Sequence, residues 1–280
     1  MQWINPNFNN PMQWNVEQSS EGNYQRKFNS INMIEYNFKN LRLSLFESIV
    51  FNVDNHMSKF DYNMLNPVIF ARSAIIGRAS NDNILIGADF IYHNDKLELY
   101  SQFVIDDLSS TNISFSNPVN RMAWQVGVKY HDLFNVKNLN IQAEHNYVKA
   151  KTYQTRNPEE SYTHYNQSVA HPAGNNFVEF IGKIQYRYNS FPVNMQLNYM
   201  ISGDQDYYGN LSPVVYDNKG VFIAGEKNDY LFFDFETAYI INPNWNWTAY
   251  LGFTYRASEK DNLWLRIGTK STIRRLIRDI

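Results

Sequence analysis

At Leu139-Asn140-Ile141-Gln142-Ala143-Glu144, and again at Val193-Asn194-Met195-Gln196-Leu197-Asn198, apolar and polar side chains alternate one for one. A period of two gives a β-strand with one apolar and one polar face. Segments of about ten residues with this phase recur along the chain. Alternately short and long connections join them, a pattern that defines transmembrane β-barrels. The expected fold is therefore all-β: an antiparallel outer-membrane β-barrel, read as one domain over residues 1–280.

About eleven strands are expected, at residues 30–38, 41–53, 83–93, 97–107, 122–130, 139–148, 177–188, 193–202, 229–241, 245–255 and 263–270. Short connections fall around Lys39, Asn94, Asn135, Ser190 and Pro243, with Asn94-Asp95 and Asn242-Pro243-Asn244 as turn formers. Long ones cover 54–82, 108–121, 149–176 and 203–228. Barrels segregate their connections in this way, with short turns on the periplasmic side, whereas a soluble sandwich has no reason to.

Phase predicts the faces. Leu97, Leu99, Phe103 and Ile105 point to lipid, and Glu98, Tyr100, Gln102 and Asp106 to the lumen. Val178, Phe180, Ile184, Tyr186 and Tyr188 point out, and Glu179, Lys183, Gln185 and Arg187 point in. Trp245, Trp247, Leu251, Phe253 and Tyr255 face lipid. Two strands break the pattern. Glu47 shares a face with Leu43, Leu45 and Ile49, and Asp234 and Glu236 share one with Phe232 and Ile240. A carboxylate in hydrocarbon costs on the order of a few kcal/mol. A phase-switching β-bulge, or a place at the rim, is expected at both.

Composition narrows the class further. No run of 18 or more apolar residues exists, so membrane crossing by helices is excluded. Aromatics make up 16% of the chain, which suits girdles at two membrane interfaces. A net charge of -2 without a basic field excludes nucleic acid as a partner. With no cysteine, disulfides and thiolate metal sites are ruled out, and no cofactor is expected. The start, Met1-Gln2-Trp3-Ile4-Asn5-Pro6, has neither the charged nor the apolar region of a secretory signal. With an odd strand count, this leads to the expectation of an incomplete barrel that lacks N-terminal strands.

The least strand-like segment is Ser161-Tyr162-Thr163-His164-Tyr165-Asn166-Gln167-Ser168-Val169-Ala170-His171-Pro172-Ala173-Gly174-Asn175-Asn176. Three readings compete for it. A metal site would use His164 and His171, but their spacing is not diagnostic and no carboxylate is fixed beside them. A hydrolase would pair Ser161 or Ser168 with His164 or His171, in a loop that lacks strand phasing. The favoured reading is a loop folded into the barrel, hydrogen-bonding either lumen residues or a sugar. A sugar offers an apolar face and a rim of hydroxyls, which suits aromatics beside amides and carboxylates. Tyr162, Tyr165, Asn166 and Gln167 fit that chemistry, as do Asp106, Asp107 and Glu144 on strands. For each of these, the competing account is a lumen side chain that satisfies a neighbour across the barrel.

Tyr162-Thr163-His164-Tyr165-Asn166-Gln167, followed by Ala170-His171-Pro172-Ala173-Gly174-Asn175-Asn176-Phe177, resembles the hallmark loop of Wzi-type capsule-assembly outer-membrane proteins, in particular the gliding motility protein RemB branch. Leu45-Phe46-Glu47, Asn66-Pro67-Val68-Ile69-Phe70, Gln102-Phe103-Val104-Ile105-Asp106-Asp107, Arg156-Asn157-Pro158 and Tyr239-Ile240-Ile241-Asn242-Pro243 look similar too. The resemblance implies a barrel of more strands than are counted here. It implies a surface lectin in the outer membrane of a Gram-negative cell that holds capsular or secreted polysaccharide, with a link to surface motility and no catalytic residues. Relatives end in an aromatic residue where this chain ends in Ile280.

The expectation is thus a non-enzymatic β-barrel that binds or anchors surface polysaccharide. Its partners are that glycan, outer-membrane lipid and other surface or motility proteins. The candidate site is Tyr162, His164, Tyr165, Asn166, Gln167, His171, Asp106, Asp107, Glu144 and Arg156. The alternatives are a passive channel or porin and a structural component of a motility complex.

Overall fold

The computed structural model describes residues 2–5, 9–10, 25–52, 66, 68–71, 82–109, 111–117, 119–154, 161–164, 167–203, 223–258 and 260–271. Fifteen strands follow in chain order: β1 (Gln2–Asn5), β2 (Asn9–Asn10), β3 (Gln25–Phe38), β4 (Leu41–Asn52), β5 (Asn83–His93), β6 (Leu97–Asp107), β7 (Arg121–Tyr130), β8 (Leu139–Val148), β9 (Thr163–His164), β10 (Gln167–Ser168), β11 (Phe177–Tyr188), β12 (Phe191–Ser202), β13 (Asn228–Asn242), β14 (Trp247–Ala257) and β15 (Asn262–Lys270). The long strands form one sheet in the order β3-β4-β5-β6-β7-β8-β11-β12-β13-β14-β15, with β1 and β2 on the outer edge of β3. Each neighbour pairs antiparallel with the next. The fold is all-β and barrel-like. Among the described residues the sheet is not closed, because β15 pairs with β14 alone. From β3 to β15 there is an even number of antiparallel steps, so the two run the same way. Antiparallel closure between them therefore needs an odd number of intervening strands, and β1, antiparallel to β3, runs in the direction such a strand must take.

Turn chemistry sets the hairpins. Asn94 Oδ1 accepts from the amides of Lys96 (2.9 Å) and Leu97 (2.8 Å), the side-chain-to-backbone turn that asparagine favours. Asn189 (φ 50°) and Asn138 (φ 63°) take left-handed backbone, which asparagine tolerates better than most residues. These tight turns lie at one end of the sheet. The long connections lie at the other, together with the four residues 258–261 between β14 and β15.

Register propagates the two faces across every strand, because paired residues share a face. One face carries Leu43, Leu45, Ile86, Phe103, Val126 and Ile184, continuing through Leu197, Leu251, Leu265 and Ile267. These side chains are exposed, reaching 85% at Ile267, whereas Ile49, Phe51 and Tyr147 of the same face are buried near the long connections. The opposite face carries Ser44, Asp89, Gln102, Gln125, Glu144, Glu179, Gln196 and Asp234.

The phase breaks resolve without the expected bulges. Asp234 and Glu236 belong to the polar face, where Asp234 accepts from Thr254 Oγ1 (2.5 Å) and Arg266 Nη2 (2.6 Å) and Glu236 meets Lys270. It is Phe232 and Ile240 that turn inward, and the register shift falls later, between Ile240 and Asn242. Glu47 stays in phase on the apolar face, fully buried, where its Oε2 accepts the Phe70 amide (3.0 Å). Trp245 lies in the turn before β14 rather than in the strand, and β3 starts five residues before the expected position 30.

Candidate functional site

The loop between β8 and β11 enters the polar face at the long-connection end. Tyr162 leads it. Its ring packs among Val50, Leu85, Val104, Ala123, Val148 and Phe177, one residue from each of six successive strands. Its hydroxyl donates to the Ser48 carbonyl (2.6 Å) on β4. The loop leaves from β8, so this bond crosses four strand spacings, roughly 19 Å. Burial raises the Tyr162 hydroxyl pKa well above the ordinary phenol range, so it acts as a neutral donor.

The expected site residues divide sharply. Asp106 is the extra residue of a β-bulge, between the pairs Ile105–Met122 and Asp107–Arg121. In phase with the polar face, its carboxylate meets the loop, where Oδ2 accepts the Tyr153 amide (2.8 Å). Asp107 faces Arg121 (3.1 Å), whose Nη1 also donates to the Gln154 carbonyl (2.7 Å). These two carboxylates hold the root of the loop. Glu144 sits farther down the polar face, where Tyr100 Oη (2.5 Å), Gln125 Nε2 (3.0 Å) and Asn146 Nδ2 (2.8 Å) donate to it. Asn146 also donates to Glu179 (3.1 Å), which receives Asn198 at 3.4 Å, and Gln196 donates to Asn198 (2.8 Å). Phase marked Glu179 and Tyr100 as inward. Gln125, Asn146 and Asn198 were not singled out, and their signal was the same alternation.

His171 lies where the loop meets β11, against the Phe177 ring (centroids 4.5 Å apart). Its Nδ1 accepts the Ala173 amide (3.1 Å), and its Nε2 stands 3.8 Å from Glu179. Burial lowers its pKa, against the opposing pull of Glu179 and then Glu144. Thr163–His164 and Gln167–Ser168 pair as a two-stranded hairpin, which places His164 and Gln167 opposite each other by backbone. Tyr165, Asn166 and Arg156 lie outside the described residues. The loop end is fastened by Asn175 Nδ2 to the Thr152 carbonyl (3.1 Å) and Asn176 Nδ2 to the Ala224 carbonyl (2.8 Å). Among the described residues no group of three His, Asp or Glu could hold a metal, and no helix is long and apolar enough to cross a membrane.

The structure thus brings Tyr162, Asp106 and Asp107 together as the fastening of one loop. Glu144 lies in a strip of amides and carboxylates that His171 borders through Glu179. Fold and site together define a class: an antiparallel, barrel-like wall with one apolar face and one polar face entered by a tethered loop. No family model matches the chain, and no curated protein matches it. A solved structure from work on in-meso crystallization of membrane proteins aligns with 96% of this chain and 81% of its own, at 10% identity and a TM-score of 0.29. At that score the likeness carries no argument.

Proposed function

We propose that this chain is the wall of an outer-membrane β-barrel of a Gram-negative cell that binds or anchors capsular or secreted polysaccharide, in capsule assembly or surface motility. One observation carries the membrane part: the exposed apolar face runs from β4 to β15, and on β12 and β14 it ends in aromatics on both sides. Phe191 and Trp247 lie near the short turns, and Tyr199 and Tyr255 near the long connections, eight residues along the same strands. That is about 27 Å along a strand, or about 20 Å along the membrane normal at a tilt of about 40°, close to the height of a barrel's apolar band. Interior side chains that hydrogen-bond one another, as Glu144, Asn146 and Glu179 do, suit a polar lumen.

The glycan part rests on the resemblance of the loop at 162–177 to Wzi-type proteins and on its chemistry. Tyr162, Asp106 and Asp107 serve as anchors. The saccharide-binding role therefore falls to the sequence segment His164, Tyr165, Asn166 and Gln167, with His171 and Arg156 beside it in sequence. No catalytic role is proposed. A loop tied across the polar face by Tyr162 favours a closed, glycan-holding barrel over a passive channel. The test is retention of purified capsular or exopolysaccharide by the reconstituted protein. Changing His164, Tyr165 and Asn166 together to Ala abolishes retention on this reading, and unchanged retention removes the loop from the site. Co-purification with surface proteins and no glycan binding would instead indicate a structural role in a motility complex.

A further inference from the structure

Of the long connections, 108–120 alone contains no charged residue, whereas 53–82, 149–176 and 203–227 each carry several Asp, Glu, Lys or Arg. Its sequence mixes aliphatics with Ser, Thr and Asn. The segment is tightly built. Asn120, fully buried, accepts the Ser109 amide (2.6 Å) and donates to the carbonyls of Asn112 (3.0 Å) and Ser114 (2.7 Å). It does not fold into the polar side. Phe115 packs on Trp124 (5.9 Å) and Tyr147 (5.7 Å), both on the apolar face. Lys149 donates to the carbonyls of Phe115 (2.7 Å) and Asn117 (2.6 Å), so its charge closes the segment from the loop side. Held in this way, Ile113 is 74% exposed and Val119 52%.

We propose that 108–120 is a membrane-surface foot: it rests on the outer wall above β6–β8 and seats Ile113 and Val119 in the outer leaflet, among acyl chains at the level of the headgroups. The occupant is lipid for three reasons. The segment continues the apolar face through Phe115. It lacks the charges that the other long connections present to water. Its hydroxyls and amides match the hydrogen-bonding zone just above the hydrocarbon, where amphipathic groups settle.

The inference rests on the membrane reading, and the test separates the two. The chain has no cysteine, so single nitroxide labels go in cleanly at Ile113→Cys, Val119→Cys and, as the wall reference, Leu251→Cys. The full chain is reconstituted in phosphatidylcholine vesicles, and collisions with oxygen and with a water-soluble nickel chelate are compared. The proposal predicts that oxygen collisions exceed nickel collisions at all three sites. If the Leu251 label reads as lipid while either foot label collides mainly with nickel, the foot lies in water and the proposal fails. If a foot label is shielded from both reagents, it is packed against protein and the proposal also fails. If the Leu251 label itself reads as water, the membrane reading falls and takes the foot with it.

Discussion

The Tyr162 hydroxyl reaches the Ser48 carbonyl at 2.6 Å, joining residues 114 apart in sequence and tying the loop after β8 to β4. A buried hydroxyl bond contributes about 1 kcal/mol, and removing a buried aromatic ring costs about 4 kcal/mol. Tyr162→Phe therefore lowers the unfolding free energy in detergent by about 1 kcal/mol, and Tyr162→Ala by about 4 kcal/mol. Denaturant titration of both variants checks this. Equal, small losses would mean the ring is not buried.

The strip around Glu144 behaves as a unit. Tyr100 and Glu144 share a short charge-assisted bond, so Tyr100→Phe and Glu144→Gln are non-additive. A double-mutant cycle returns a coupling of about 1–2 kcal/mol, and additivity within about 0.3 kcal/mol would dissolve the strip into independent contacts.

His171 gives a pH dependence whose sign is fixed. Its pKa in the folded chain lies below the ordinary histidine value of about 6.5. Between those two values the unfolded chain binds more protons, so stability is fully present above the ordinary value and is lost as pH falls through it. Protonation also removes Nδ1 as the acceptor for the Ala173 amide. Hydrogen exchange at 171–176 should stay slow above about pH 7.5 and quicken below about pH 6.5, and His171→Gln removes that step. A rate independent of pH in the wild type, after correction for intrinsic exchange, contradicts it.

Much of this was legible in the chain itself, because period-two alternation reports the face of every strand at once. Ten of the eleven expected strands start within two residues of their final positions, and the eleventh starts late only because Gln25–Asn29 lack a clear alternation. The carboxylates were less legible. Asp234 looked misplaced because Phe232 and Ile240 share its face, and only register across to Thr254 and Arg266 shows which residues are the exceptions. Glu47 could not be placed from its own strand, because what shelters it is the Phe70 amide, 23 residues away. Residue type marked Tyr162 in the loop and Asp106 on β6 for a sugar, and the fold gives each a hydrogen bond within the protein, Tyr162 to the Ser48 carbonyl and Asp106 from the Tyr153 amide. A buried tyrosine that binds a carbonyl and one that binds a ligand have the same sequence signature.

Neighbouring residues on one strand should respond oppositely to charge. Leu197 is on the apolar face and Gln196 on the polar face, opposite Asp234. Leu197→Arg costs about 2–4 kcal/mol in a bilayer, and Gln196→Arg less than about 1 kcal/mol. Unfolding from vesicles measures both, and equal costs would deny the two faces different surroundings.

The central claim is that hydrocarbon meets every second side chain, and a cysteine scan of β12 with a fluorophore at 193–200, quenched by brominated acyl chains, tests it directly. The account predicts strong quenching at Val193, Met195, Leu197 and Tyr199 and little at Asn194, Gln196, Asn198 and Met200. Quenching without that alternation, or none at any position, contradicts it.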